Sequence, residues 1–209
     1  MAIDITHQHL YHSWFDLVDK SNDGGEVLIS GVQDIDEPSR NFFDGKRVSD
    51  LFASRGFRPL EVDFDDPRAG LVHDLSKPFN ESMKNRFSVV FDIGTIEHVA
   101  DTISVLKNYF TSLRVGGLVF LLTPIRGYFD HGFHTFSEEF VIGVFEMNGF
   151  EILEKKYAAE SGLLLQSPLE ADNSLILVAA RKVNECGPDI RLPIQNRWQV
   201  LKAIFGGVQ

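Results

Sequence analysis

Two apolar runs, "FSVVFDI" at 87–93 and "LVFLLTP" at 118–124, bracket a stretch with helical periodicity, and no other feature of the chain constrains its fold as strongly. The first run is interrupted only late, by Asp92, as expected for a strand buried on both faces. Between the runs, Val99, Ile103, Leu106, Phe110 and Leu113 follow at steps of 4, 3, 4 and 3, one face of an amphipathic helix. "RVGG" ends that helix. Alternating strands and helices with short buried strands imply an α/β fold, a three-layer sandwich.

The rest of the chain extends this pattern. Residues 5–19 read as a helix carrying Tyr11, Trp14 and Phe15, stopped by "SNDGG". Strands follow at 26–30, 58–62 and 70–73, with a polar stretch at 31–47 and a short helix at 48–55 ended by Gly56. Ser137 is a good N-cap, and Glu138 and Glu139 suit the positive end of a helix running to Gly149, with Phe140, Val144 and Phe145 inward. "FEILEKKYA" and "SLILVAARK" (174–182) are the last strands, and their short connection without helical periodicity suits antiparallel pairing. A tail helix near 195–205 carries Trp198, Leu201 and Phe205 on one face, for docking on the domain or on a second copy in a homodimer. The 209 residues thus read as one domain: an N-terminal helical segment 1–24, a core 25–182 and a tail 183–209.

Charge and cysteine usage narrow the function. A formal net charge of −10 repels polyanions, which argues against DNA or RNA as a partner. A single cysteine, Cys186, permits no internal disulfide and no cysteine-based zinc site, and a reducing, cytoplasmic setting fits. No segment approaches the roughly 20 apolar residues that span a bilayer, and the N-terminus lacks signal-peptide patterning, so no membrane partner is expected. The 18 phenylalanines read mainly as core, with a remainder available to line a pocket.

In open α/β sheets, ligands bind outside the carboxyl ends of the strands. That rule selects Gly31 to Gln33, Asp63, Asp74, Asp92 to His98, and Thr123 to His134. "EVLISGVQDI" (26–35) is a strand entering a turn at Gly31, but it has one glycine where nucleotide loops usually carry two or three. Asp63 ends the second strand, where an acid can accept from ribose hydroxyls or sit as a solvated loop acid. Asp74 follows the third strand, where it can accept from an exocyclic amine with Leu75 covering the ring, or cap a turn. Gly94 allows close backbone approach to a ligand. Glu97 and His98 sit at the start of the following helix, whose N-terminus would keep His98 neutral as a proton acceptor. "RGYFDHGFHTFSEEF" packs His131, His134 and four aromatics around two glycines, the composition of a lid or substrate wall. His131 and His134 are three apart, and Glu97, His98 and Asp92 could lie near them, but with no HExxH pairing a catalytic metal is not expected.

Taken together, "FSVVFDIGTIEHV", "LRVGGLVFLLTP" and "FHTFSEEFVIGVFEMNGFEILE" resemble the class I S-adenosylmethionine-dependent methyltransferases, in particular small bacterial ones with an "EH" step, an "L-x-x-GG" turn and a later "H-x-F-S-x-E". The resemblance covers about residues 25–182 and is most specific in its second half. It implies a Rossmann-like, seven-stranded sheet with an antiparallel last strand and S-adenosyl-L-methionine as cofactor. Gly31 would be the first motif glycine, Asp63 the ribose acid, Asp74 and Leu75 the adenine neighbours, and Asp92 and Ile93 the floor between cofactor and acceptor. The acid before the glycine and the later glycines are replaced, so Ser30, Gln33 and the 31–47 loop would hold the methionine end. The implied reaction is in-line methyl transfer to oxygen or nitrogen of a small acceptor such as a sugar, a secondary metabolite or a small acid. His98 or His131 would act as base, with the N-terminal aromatic helix and the 126–136 loop closing over the substrate. The competing readings are a methyltransferase-fold scaffold without activity, and a nicotinamide-dependent oxidoreductase, which the absence of G-x-G-x-x-G disfavours.

Overall fold

The computed structural model describes residues 8–21, 24–35, 46–187 and 189–193. The expected helix near 195–205, and most of the irregular stretch after Gly31, lie outside these residues. The described elements in chain order are α1 (Gln8–Lys20), β1 (Glu26–Ser30), α2 (Val48–Ala53), β2 (Arg58–Asp63), β3 (Leu71–Val72), β4 (Phe87–Ile93), α3 (Thr102–Ser112), β5 (Leu113–Arg126), α4 (Glu138–Met147), β6 (Phe150–Ala159), β7 (Leu164–Leu165) and β8 (Ser174–Lys182).

The strands form one sheet in the order β3-β2-β1-β4-β5-β8-β6-β7. Strands β3, β2, β1, β4 and β5 are mutually parallel, while β8 runs antiparallel to both of its neighbours, β5 and β6. The short connection before β8 leaves no room for a crossover helix, which forces the reversal. The sheet has eight strands rather than seven because the two-residue β7 pairs with the end of β6.

Alternation along the strands builds two cores. Val27, Ile29, Val89, Phe91 and Phe120 face one side, against Tyr11, Trp14 and Phe15 of α1 and Leu51 and Phe52 of α2. Leu28, Val90, Val119, Leu121 and Val178 face the other, against α3 and α4. The aromatics of α1 are therefore not a lid. Trp14 is fully buried and packs edge-on to Phe91, 5.7 Å between ring centroids, so this helix is one layer of the sandwich.

The buried face of α3 keeps Leu106 and Phe110 of the expected stripe and widens to include Val105 and Tyr109. Val105 and Tyr109 are fully covered, whereas Val99 precedes the helix and Ile103 is only partly buried. Asp101 caps α3 by accepting from Ser104 N, so the helix begins later than its apolar spacing suggests. Glu97 and His98 consequently lie on a separate 3-10 turn, Ile96–His98, and not in the first turn of α3.

Buried polar groups bind the elements to one another. Lys182, fully buried at the end of β8, donates to the carbonyls of Phe110 at 2.9 Å and Leu113 at 2.6 Å, satisfying oxygens at the end of α3. Asn108 on α3 accepts from Phe79 N and donates to Leu75 O and Lys77 O, which fixes the 75–79 loop against the sheet.

Candidate functional site

A cleft of about 890 Å³ opens at the carboxyl ends of β1, β2 and β4. Gly31, Gln33, Asp63, Asp74, Leu75 and Gly94 line it, and His98 and His131 stand at its wall. Of the residues singled out from the sequence, these come together. Ser30, Asp92 and Ile93 are buried and are not part of the lining.

The turn after β1 is built around Gly31, whose φ of +78° places it in the left-handed region. Gly31 N donates to Val62 O at 2.7 Å and Val32 N to Asp63 Oδ2 at 3.0 Å, tying the turn to the end of β2. A Cβ at Gly31 would lie 2.9 Å from Gln33 Nε2 and 3.1 Å from Thr95 Oγ1. The bare glycine thus lets the Gln33 side chain fold back beneath the turn. There Gln33 Nε2 donates to Ser30 O and Ile93 O, while Oε1 is buried with no hydrogen-bond partner among the described residues.

Asp63 already has several partners. Besides Val32 N, its carboxylate accepts from Asp65 N and Asp66 N, each at 3.2 Å. Partial burial pushes its pKa up, but these backbone donors outweigh that and leave it below the usual carboxylate range. A carboxylate offers about four acceptor sites, so roughly one remains for a ligand. Asp74 accepts from Ser76 N at 2.9 Å and caps the turn after β3, and Leu75 is buried behind it.

Asp92 faces inward. Its Oδ1 accepts from Thr95 N at 2.8 Å, and its Oδ2 lies 2.7 Å from Tyr109 Oη, which is also 2.6 Å from Ser30 Oγ. A phenol has one proton, so Tyr109 donates to the carboxylate and accepts from the serine. Burial raises Asp92 to about 6, with the Tyr109 and Thr95 hydrogen bonds opposing. Ser30 and Asp92 are therefore held in a buried staple between β1, β4 and α3, and neither lines the cleft.

The far wall of the cleft brings together Glu97, His98 and His131 from two separate segments. Glu97 is fully buried, and its Oε2 accepts from Thr123 Oγ1 at 3.2 Å. Burial first, and then the Asp92 charge, push its pKa up to about 8. Glu97 O accepts from Phe133 N at 2.8 Å and from His134 N at 3.2 Å, so the 127–136 loop is pinned onto it. A Cβ at Gly132 would lie 2.9 Å from Glu97 O, so only glycine permits this approach. The contact delivers His131, whose Nε2 lies 3.7 Å from Glu97 Oε1 and whose ring centroid is 4.8 Å from that of His98. Burial and then His131 lower the pKa of His98. These causes, rather than a helix N-terminus, favour its neutral form. His134 points elsewhere, its Nε2 lying 3.1 Å from Ala100 O. The sequence places Glu97 at this strand end beside His98, but its full burial and its contact with the 127–136 loop are visible only in the structure.

No family model matches the chain. A stretch of 57 residues is 40% identical to the ubiquinone biosynthesis O-methyltransferase of Parvibaculum lavamentivorans, covering 27% of this chain and 22% of that protein. Among solved structures, the N-methyltransferase NodS of Bradyrhizobium japonicum, in complex with S-adenosylhomocysteine, is similar with a TM-score of 0.59 at 16% identity, over 87% of this chain and 89% of that one. The 1,6-didemethyltoxoflavin-N1-methyltransferase of Burkholderia thailandensis is similar with a TM-score of 0.51 at 15% identity, over 86% and 84%. Strand order, the reversed β8 and these similarities agree: the chain has the fold of the class I S-adenosylmethionine-dependent methyltransferases.

Proposed function

We propose that the protein transfers a methyl group from S-adenosyl-L-methionine to a small-molecule acceptor. The observation that carries this reading is the cleft, which runs from Asp63 and Asp74 past Gly31 and Gln33 to His98 and His131. Asp74 and Leu75 would flank the adenine. Asp63 would take one ribose hydroxyl with its remaining acceptor site. Gln33 Oε1, buried and unpaired, would accept from the donor's ammonium group in place of the carboxylate expected before Gly31. The volume suits a cofactor together with a small acceptor.

Transfer is an in-line displacement at the sulfonium methyl, and most of its catalysis is positioning. When the acceptor is a hydroxyl, its proton must leave, and the Glu97, His98 and His131 cluster is the ionisable group set at that end of the cleft. The O- and N-methyltransferases named above support oxygen or nitrogen as the acceptor atom.

Calorimetry with S-adenosylhomocysteine tests the reading, followed by turnover of S-adenosylmethionine against a panel of sugars, phenols and small acids. Saturable micromolar binding is expected, lost in Gly31→Val and weakened several-fold in Gln33→Leu. A second reading, a scaffold without methyl transfer, is favoured by the three backbone bonds that Asp63 spends on its own loop. No heat and no thermal shift with either ligand at millimolar concentration would favour it.

A further inference from the structure

We infer that Glu97, His98 and His131 form a binding site for a divalent first-row transition metal ion, placed where the acceptor's reacting oxygen would lie. The three side chains offer one ligand atom each, all within 4.8 Å of one another. Two of these atoms are orphaned: Glu97 Oε1 and His131 Nε2 are buried and have no hydrogen-bond partner among the described residues. Their separation of 3.7 Å is too long for a hydrogen bond between them. It is the right span for an ion about 2.1 Å from each, seen under an angle of roughly 120°. The third ligand would need to move by about half an ångström to complete the set, since two ligands of one ion lie at most about 4.2 Å apart.

The surroundings support such a site. Glu97 is held by Thr123 through its other oxygen, and the 127–136 loop is pinned to the Glu97 backbone, so two of the three ligands sit on a fixed frame. His98 and His131 line the cleft while Glu97 lies behind it, which leaves the remaining coordination positions facing the ligand space. Two imidazoles and one carboxylate favour a transition metal over magnesium, which prefers all-oxygen sets.

The site itself stands on these side chains; what it does rests on the methyl-transfer reading. The acceptor hydroxyl coordinates the ion and releases its proton to solvent. The resulting oxyanion attacks the sulfonium methyl, the C–O bond forming as the C–S bond breaks with both electrons left on sulfur. The histidines then act as neutral ligands instead of bases. Acceptors with a second oxygen beside the reacting one would chelate the ion and be preferred.

The test uses tag-free, chelator-treated full-length protein titrated with Co²⁺ and followed by calorimetry and visible absorption. One ion per chain is expected, with d–d bands of an imidazole and oxygen ligand field and no displacement by excess Mg²⁺. His131→Gln, His98→Gln and Glu97→Gln should each weaken binding at least tenfold, and circular dichroism checks that each variant is folded. Absence of Co²⁺ binding up to millimolar concentration overturns the inference, as does undiminished binding in the His98→Gln/His131→Gln double variant. S-Adenosylhomocysteine binding is measured in parallel on the wild type. Cofactor binding without Co²⁺ binding removes the metal site and leaves methyl transfer standing; Co²⁺ binding without cofactor binding does the reverse.

Discussion

Removing the Tyr109 hydroxyl tests whether the buried staple holds the cleft edge of the sheet together. Tyr109 and Asp92 are fully buried, and the phenol oxygen sits 2.7 Å from Asp92 Oδ2 and 2.6 Å from Ser30 Oγ. Tyr109→Phe keeps the ring and its packing but strips a donor from a buried carboxylate and an acceptor from a buried hydroxyl. A hydrogen bond to a charged group contributes about 1.5–3 kcal/mol and a neutral one about 1 kcal/mol, so a loss of about 2–4 kcal/mol is expected at pH 7. The cost depends on pH. Asp92 is raised to about 6, so between about pH 4 and pH 6 the folded chain binds this proton more tightly than the unfolded chain does. For this group, stability therefore falls as pH rises through that window. Once the carboxyl is protonated no charge is left uncompensated, and the cost of Tyr109→Phe should drop to about 1 kcal/mol at pH 5. Urea unfolding of wild type and variant at pH 7 and pH 5 measures both quantities. A loss under about 0.5 kcal/mol at pH 7, or equal losses at the two pH values, would refute the argument.

Three other perturbations address separate parts of the structure. Lys182→Met removes the buried ammonium that satisfies the Phe110 and Leu113 carbonyls, and should cost about 3 kcal/mol in urea unfolding. Gly31→Ala forces a side chain to φ +78° and against Gln33 Nε2, so a destabilisation of about 1–2 kcal/mol should accompany weaker S-adenosylhomocysteine binding. Gly132→Ala places a Cβ 2.9 Å from Glu97 O and should lift the 127–136 loop. Its expected signature is faster amide exchange at Phe133 N and His134 N, with global stability changed by less than about 1 kcal/mol.

Much of the fold was legible because periodicity is a local property. Continuous apolar runs marked β4 and β5, a short helix-free connection marked the reversal of β8, and Ser137 followed by two glutamates marked the start of α4, whose Ser137 accepts from Phe140 N. The boundaries of α3 were less legible. Its apolar spacing continues back through Val99, but capping by Asp101 decides where the helix begins. The site was legible only as a set of positions at strand ends, since topology places those residues together whatever their side chains do.

By itself, the sequence determined the three-layer α/β class, the parallel sheet with one reversed strand, the turn at Gly31 and the edge where a ligand would bind. These follow from side-chain period, glycine at positive φ and connection length, all of which can be read within short windows. Only the tertiary structure decided which polar groups face the cleft and which face inward. Ser30 and Asp92 look like ligand contacts on the chain, yet Tyr109, from another element, draws both into the interior. Glu97 and His131 lie on different segments and meet only because Gly132 allows the loop backbone to rest on the Glu97 carbonyl. The aromatics of α1 pack onto the sheet because they cover apolar surface beside Phe91 and Phe120 that would otherwise face water. Such partnerships depend on distances between remote residues, and local pattern carries no record of them.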